Sequence, residues 1–203
     1  LDHEIVVRDP RTARPKRLVC FDSNSYLGLH LHPRVVAAAH RALVAAGAGT
    51  PSTPLLSGTS RWLRELEDVV AAFLGRESAL VFPSGYAANV GILTGLLSPG
   101  DFAVRDRHVH ARLHDGCRLS GARGGVYAQR DPASAARALA RDGGRGGRLP
   151  VTDGVFSMHG RVAPLPELAT AARDAGALLM VDEAHPTGVV AEANALFDAA
   201  RGR

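Results

Sequence analysis

Lysine is nearly missing from this chain. Of 24 basic residues, 23 are arginine, and Lys16 is the single lysine. Beside so many alanines and glycines, this bias reads as coding preference. Cysteine is scarce too: Cys20 and Cys117 form no scaffold pattern, which excludes a disulfide-stapled secreted domain and points to a reducing cytoplasm. Aromatics make up 5% of the chain, the arginines are scattered, and no nucleic-acid motif occurs. The net charge of +4 therefore does not read as a nucleic-acid footprint. No apolar run reaches the roughly 18 residues that a membrane span needs, and "LDHEIVVRDP" has no signal-peptide pattern. The first residue is Leu1 rather than Met, as expected of a piece of a longer protein.

What is present is ample core material, 46% hydrophobic over 203 residues, in a repeating order. Residues 1–20 are polar and rich in Arg and Pro, and read as an extended N-terminal arm. "HPRVVAAAHRALVAAG" predicts a helix from near Pro33, with Val35, Val36, Ala39 and Leu43 on one face and Gly47 as its stop. "RWLRELEDVVAAFLG" predicts a second, with Trp62, Leu63, Leu66, Val69, Val70 and Phe73 on one face. From "SALVF" onward, short apolar strands alternate with helices: "GYAANVGILTGLL", "DFAVRD", His110 to Ser120, "GVYAQ", "PASAARALARD", "LPVTDGVF", "LPELATAARDAG" and "ALLMVD". That alternation predicts an α/β fold, a mostly parallel sheet with helices on both faces. The domain reading is an arm over 1–20, one α/β domain over 21–190 and a divergent helical tail over 191–203.

In such sheets ligands bind outside the carboxyl ends of the strands. The junctions to inspect are therefore Pro83 to Tyr86, Asp106 to His110, Asp153 to Gly160 and Asp182 to His185. In "FPSGYAAN", a strand ending in Ser84-Gly85 before a helix offers N–H groups and a dipole to a phosphate. The plain alternative is an N-cap serine and a turn glycine. "DRHVHARLH" holds His108, His110 and His114, but no acid or cysteine completes a metal set, so no metal is expected. Asp182 ends the most hydrophobic strand, where a carboxylate needs a cation to meet it. That cation is either one of the many arginines or a protonated ring nitrogen. His185 follows three residues later.

These junctions, with the segments between them, resemble the α-oxoamine synthase family of pyridoxal-phosphate (PLP) enzymes. The ordered matches are "FDSNSYLGLHLHP", "LLSGT", "LRELE", "FPSGYAANVGIL", "RHVHARLHDGCRLSGA", "DGVFSMHGRVAPLPEL" and "MVDEAHPTG", covering Phe21 to Gly188. The resemblance implies the large domain of a fold type I PLP-dependent transferase, without the small C-terminal domain. It implies that Ser84, Gly85 and Tyr86 cradle the cofactor phosphate and that His110 stacks on the pyridine ring. Asp182 would pair with the ring nitrogen, His185 would contact the phenolic oxygen with Ser157 nearby, and Asn24 would lie near the substrate. The implied reaction joins an amino acid to an acyl thioester, usually with loss of CO2, in a dimer.

Four departures from the family pattern stand out: Leu63 replaces a histidine, Thr53-Pro54 replace Ser-Arg, His159 replaces an aspartate and Pro186 replaces a serine. They bear on substrate identity more than on fold. The family also holds its cofactor as a Schiff base on a lysine beyond the Asp-Glu-Ala-His motif. Lys16 lies upstream of every motif and does not match it. The chain is thus expected to bind PLP non-covalently, with weak or no turnover alone, as a homodimer or beside a second chain that supplies the lysine. The alternative is a catalytically inactive homologue serving assembly or regulation.

Overall fold

The computed structural model describes residues 4–190, so the helix expected over 191–203 lies outside the described residues. The chain divides into two compact units that meet in sequence at Arg64 and Glu65.

In the first unit, the expected arm is a hairpin. Strands β1 (Glu4–Arg8) and β2 (Pro15–Val19) pair antiparallel, with Glu4 opposite Val19. The turn is closed by Asp9, whose Oδ1 accepts from the backbone N–H of Arg11 at 2.8 Å. Helix α1 (Pro33–Ala46) starts where predicted: His32 caps it by accepting the Arg34 N–H, Pro33 fills the first turn, and Gly47 at φ 82° follows its end. Its predicted apolar face is not buried, because Val35, Val36 and Leu43 are all exposed. Within the unit it packs against the 3-10 turn Leu29–Leu31 that leads into it.

Helix α2 (Arg61–Phe73) also forms, but its buried stripe is turned from the predicted one. Glu67 and Ala71 are buried, whereas Trp62, Leu66, Val69 and Phe73 are exposed. Glu67 is drawn inward because its Oε1 accepts the Val81 N–H at 3.2 Å. The strand expected at "SALVF" is not formed. Residues 78–82 are in no described strand, and Leu80 is exposed. Strand composition alone does not make a ladder.

The second unit holds the predicted α/β core. Strands β3 (Phe102–Asp106), β4 (Arg123–Tyr127), β5 (Arg148–Asp153) and β8 (Met180–Asp182) form one parallel sheet in the order β4-β3-β5-β8. Helices α3 (Gly85–Leu96) and α4 (Ala111–Leu119) cover one face; α5 (Pro132–Arg141) and α6 (Leu165–Asp174) cover the other. Neighbouring residues on a strand point to opposite faces. Ala103 accordingly joins Leu93, Leu113, Leu149 and Val151 in one cluster, while Val104 joins Tyr127, Leu139, Phe156 and Leu168 in the other. The predicted strand "LPVTDGVF" is broken after Asp153. Its end is a separate strand β6 (Val155–Phe156), which pairs antiparallel with β7 (Arg161–Val162).

Gly116 sets how closely α3 and α4 cross. A Cβ there would lie 2.5 Å from Leu93 Cδ1 and 3.3 Å from the Asn89 carbonyl oxygen. Gly116→Ala is expected to cost about 1–3 kcal/mol through overpacking, read as a lower midpoint in urea with an unchanged slope. An unchanged midpoint would show that the crossing has slack.

Candidate active site

The chain leaves β3 for β4 on one side and reaches β5 on the other, so the strand order reverses between β3 and β5. Carboxyl ends at such a reversal open a crevice. Three buried acids stand at these ends: Asp106, Asp153 and Asp182.

Asp106 is a structural anchor. Its Oδ1 accepts the His108 N–H and its Oδ2 the Arg130 N–H, both at 2.8 Å. The second bond holds Arg130 in the left-handed region at φ 55°, where a non-glycine residue needs support.

Asp182 is the best-supplied acid. Its Oδ2 accepts from Asn89 Nδ2 of α3 at 2.7 Å and from Arg112 Nε of α4 at 2.8 Å. Arg112 Nη2 stands 2.7 Å from the same oxygen. Its Oδ1 accepts the Ala184 N–H at 3.0 Å. Of the two cations the sequence left open, the one seen here is an arginine.

Asp153 lies beside Asp182 in the strand register. Its Oδ2 accepts the His110 N–H at 3.2 Å, which ties the start of α4 to the end of β5. Its Oδ1 is buried without a partner. Burial first, and the neighbouring Asp182 charge second, push its pKa up to about 7. Glu183 is also raised, mainly by burial. Gly154 sits beneath it: a Cβ there would meet Glu183 Oε1 at 2.6 Å and Pro186 Cγ at 3.0 Å. Pro186, a departure from the family pattern, is thereby a buried packing residue.

The other predicted residues fall as follows. Ser84 caps α3 by accepting the Ala87 N–H at 3.1 Å, and Ser84, Gly85 and Tyr86 are all exposed at that helix start. The Tyr86 hydroxyl is 3.5 Å from Asp115 Oδ2 on α4. His110 caps α4, its Nδ1 accepting the Arg112 N–H at 3.3 Å, with the residue exposed. His185 is half-buried in the turn after β8, and Ser157 is exposed after β6. His108 stacks on His159, ring centroids 5.3 Å apart. His114 Nδ1 accepts from Arg105 Nε at 2.6 Å, and burial, then the Arg105 charge, lowers its pKa. No metal-binding cluster occurs among the described residues. Asn24 belongs to the first unit and is exposed there.

The structure thus joins His110 to Asp182 through Asp153 and Arg112. It adds Asn89 and Arg112, which the sequence reading did not single out, and gives a specific place to Asp153, named there only as the start of a junction. Asp153 carried the same signal as Asp182, an acid ending an apolar strand. Arg112 carried none that set it apart from 22 other arginines.

Known proteins resemble this chain in sequence and in fold. The sequence profile of the family "Aminotransferase class I and II" matches residues 16–202. The 8-amino-7-oxononanoate synthase of Geobacter sulfurreducens is 48% identical over 180 residues, 89% of this chain and 46% of that protein. The synthase of Citrifermentans bemidjiense is 50% identical over 175 residues, 86% and 45% of the two chains. Among solved structures, Sphingomonas wittichii serine palmitoyltransferase superposes with a TM-score of 0.81 at 33% identity, covering 88% of this chain and 46% of that one. A serine palmitoyltransferase from S. paucimobilis, solved with a bound PLP–myriocin adduct, gives 0.84 at 32%, covering 90% and 46%. The chain spans about half the length of these relatives. Both enzyme types are α-oxoamine synthases, as the ordered motifs led us to expect. On the family match over most of its length, the chain belongs to the aminotransferase class I and II family.

Proposed function

We propose that the second unit is the cofactor-binding part of a PLP-dependent acyltransferase, which joins an amino acid to an acyl thioester, usually with loss of CO2. The observation that carries this reading is the buried Asp182 carboxylate, set at a parallel strand's carboxyl end and held by donors from α3 and α4. The relatives with this fold and these motifs support it.

The residues fit such a group. An anionic carboxylate suits a protonated ring nitrogen. The exposed N-terminus of α3 at Ser84, Gly85 and Tyr86 offers first-turn N–H groups and a positive helix end to a phosphate. His110 offers a flat ring at the start of α4, and His185 is assigned to the phenolic oxygen, with Ser157 nearby. When bound, PLP supplies an electron sink beside the amino acid's α-carbon. Asp182 keeps the ring nitrogen protonated, and Asn89 orients Asp182. The substrate role of Asn24 rests on the sequence resemblance.

Lys16 lies on β2, exposed, in the first unit. The second unit holds no lysine within residues 65–203, so we assign PLP binding by this stretch alone as non-covalent, in a dimeric assembly. A cytoplasmic setting suits the free thiols of Cys20 and Cys117. No helix among the described residues is long and apolar enough to cross a membrane. Titration with PLP, followed by absorbance and then borohydride, tests the reading. The expected result is a bound chromophore that gel filtration removes and borohydride does not fix to the protein. A label trapped on Lys16, or no binding at all, would sink it.

A further inference from the structure

Asp153 and Asp182 stand side by side at the ends of neighbouring parallel strands, yet they are supplied unequally. Three N–H groups, from Asn89 Nδ2 and from Nε and Nη2 of Arg112, crowd onto Asp182 Oδ2. A carboxylate oxygen has two lone-pair sites for them. Asp153 Oδ1 has no donor at all, and Asp153 is 6% exposed. An ionised oxygen so placed is costly, which favours the protonated acid. The groups acting on Asp153 are Asp182 on β8, Asp106 on β3, and Arg112 with the His110 N–H on α4, and Tyr127 on β4 in turn feels its charge. The pair of carboxylates can serve two cations, and one guanidinium is present.

We propose that Asp153 is the second anion of this site: when a protonated ring nitrogen takes Asp182, the Arg112 guanidinium moves to Asp153, which gives up its proton to solvent. The inference rests on the reading of Asp182 as a PLP contact. Arg112 is then a displaceable counter-ion, and Asp153 a positioning residue that touches Arg112 and the His110 N–H but not the reacting atoms. The distance is short, because adjacent strands lie about 4.8 Å apart and an arginine side chain spans that by rotating its own bonds. The charges balance: one ion pair and one neutral acid become two ion pairs, with one proton released.

Burial and the Asp182 charge hold the empty-site pKa of Asp153 at about 7. A second cation beside the pair lowers it. Loading below that pH must therefore release a proton, and loading well above it must not. The full chain is titrated with PLP by calorimetry at pH 6 and pH 9, in buffers of different ionisation enthalpy, and the protons exchanged per bound cofactor are counted. At pH 6 the wild-type chain is expected to release about one proton more than Asp153→Asn, and at pH 9 the difference vanishes. Arg112→Gln is the second variant, in case Asp153→Asn does not fold. It should still bind PLP but, like Asp153→Asn, release about one proton fewer than the wild type at pH 6, because it has no cation to hand over. Equal proton counts in the wild type and in either folded variant, with PLP bound, overturn this proposal and leave the cofactor site standing. A wild-type chain that binds no PLP overturns both.

Discussion

Replacing Asp182 by alanine is expected to lower the unfolding free energy by about 3–5 kcal/mol, measured by urea denaturation at neutral pH. The loss comes less from the ion pair itself than from what remains without it. Arg112 would keep a charge in a place where its side chain is 17% exposed, and Asn89 Nδ2 would lose its acceptor. Arg112→Ala alone should also destabilise, by leaving the Asp182 carboxylate uncompensated. The double variant should then cost clearly less than the two single costs added together, since the residues share one interaction. Strict additivity would mean that the pair is screened by water and that the buried geometry overstates it.

The second large effect is expected at Asp106. Asp106→Ala should cost about 3 kcal/mol, because two charge-assisted hydrogen bonds are lost from a fully buried group. The orphaned N–H groups belong to His108 and Arg130. Arg130 has a left-handed backbone and no glycine to make it easy, so the loop after β4 loses its tether as well. Asp106→Asn separates these contributions. Its one carbonyl oxygen can still accept one N–H while its amide faces the other, so it should recover only part of the loss. Full recovery would show that the charge is unimportant there, and equal loss would point to the second bond.

The second unit was legible in sequence because its central strands are buried on both faces. Short apolar runs, "FAV" in β3 and "LPV" in β5, mark them, and helices separate them. Legibility failed where a segment's neighbour decides its state. "SALVF" has strand composition but no ladder to join among the described residues. The α2 stripe is turned so that Glu67, which accepts the Val81 N–H, and Ala71 lie inward with Leu63 and Val70, a rotation set by tertiary neighbours. In the site, Asp182 announced itself by ending an apolar strand in a charge. Asp153 did so too, at a junction marked for its chemistry. Arg112 could not be picked from the sequence, because its role depends on α4 crossing over the end of β8, a tertiary fact with no local trace.

The sheet order leaves β8 with a single neighbour, β5, among the described strands. Among the described strands, the other side of Met180–Asp182 is an unpaired row of backbone donors and acceptors, preceded by the exposed Leu178. Open edges recruit strands. For the stretch 1–203 on its own, crowding is thus the adversary: the same three residues that end in Asp182 are where one molecule would stick to the next as concentration rises. Dilute samples and a competing extended peptide, rather than a more stable core, are the means of keeping it dispersed.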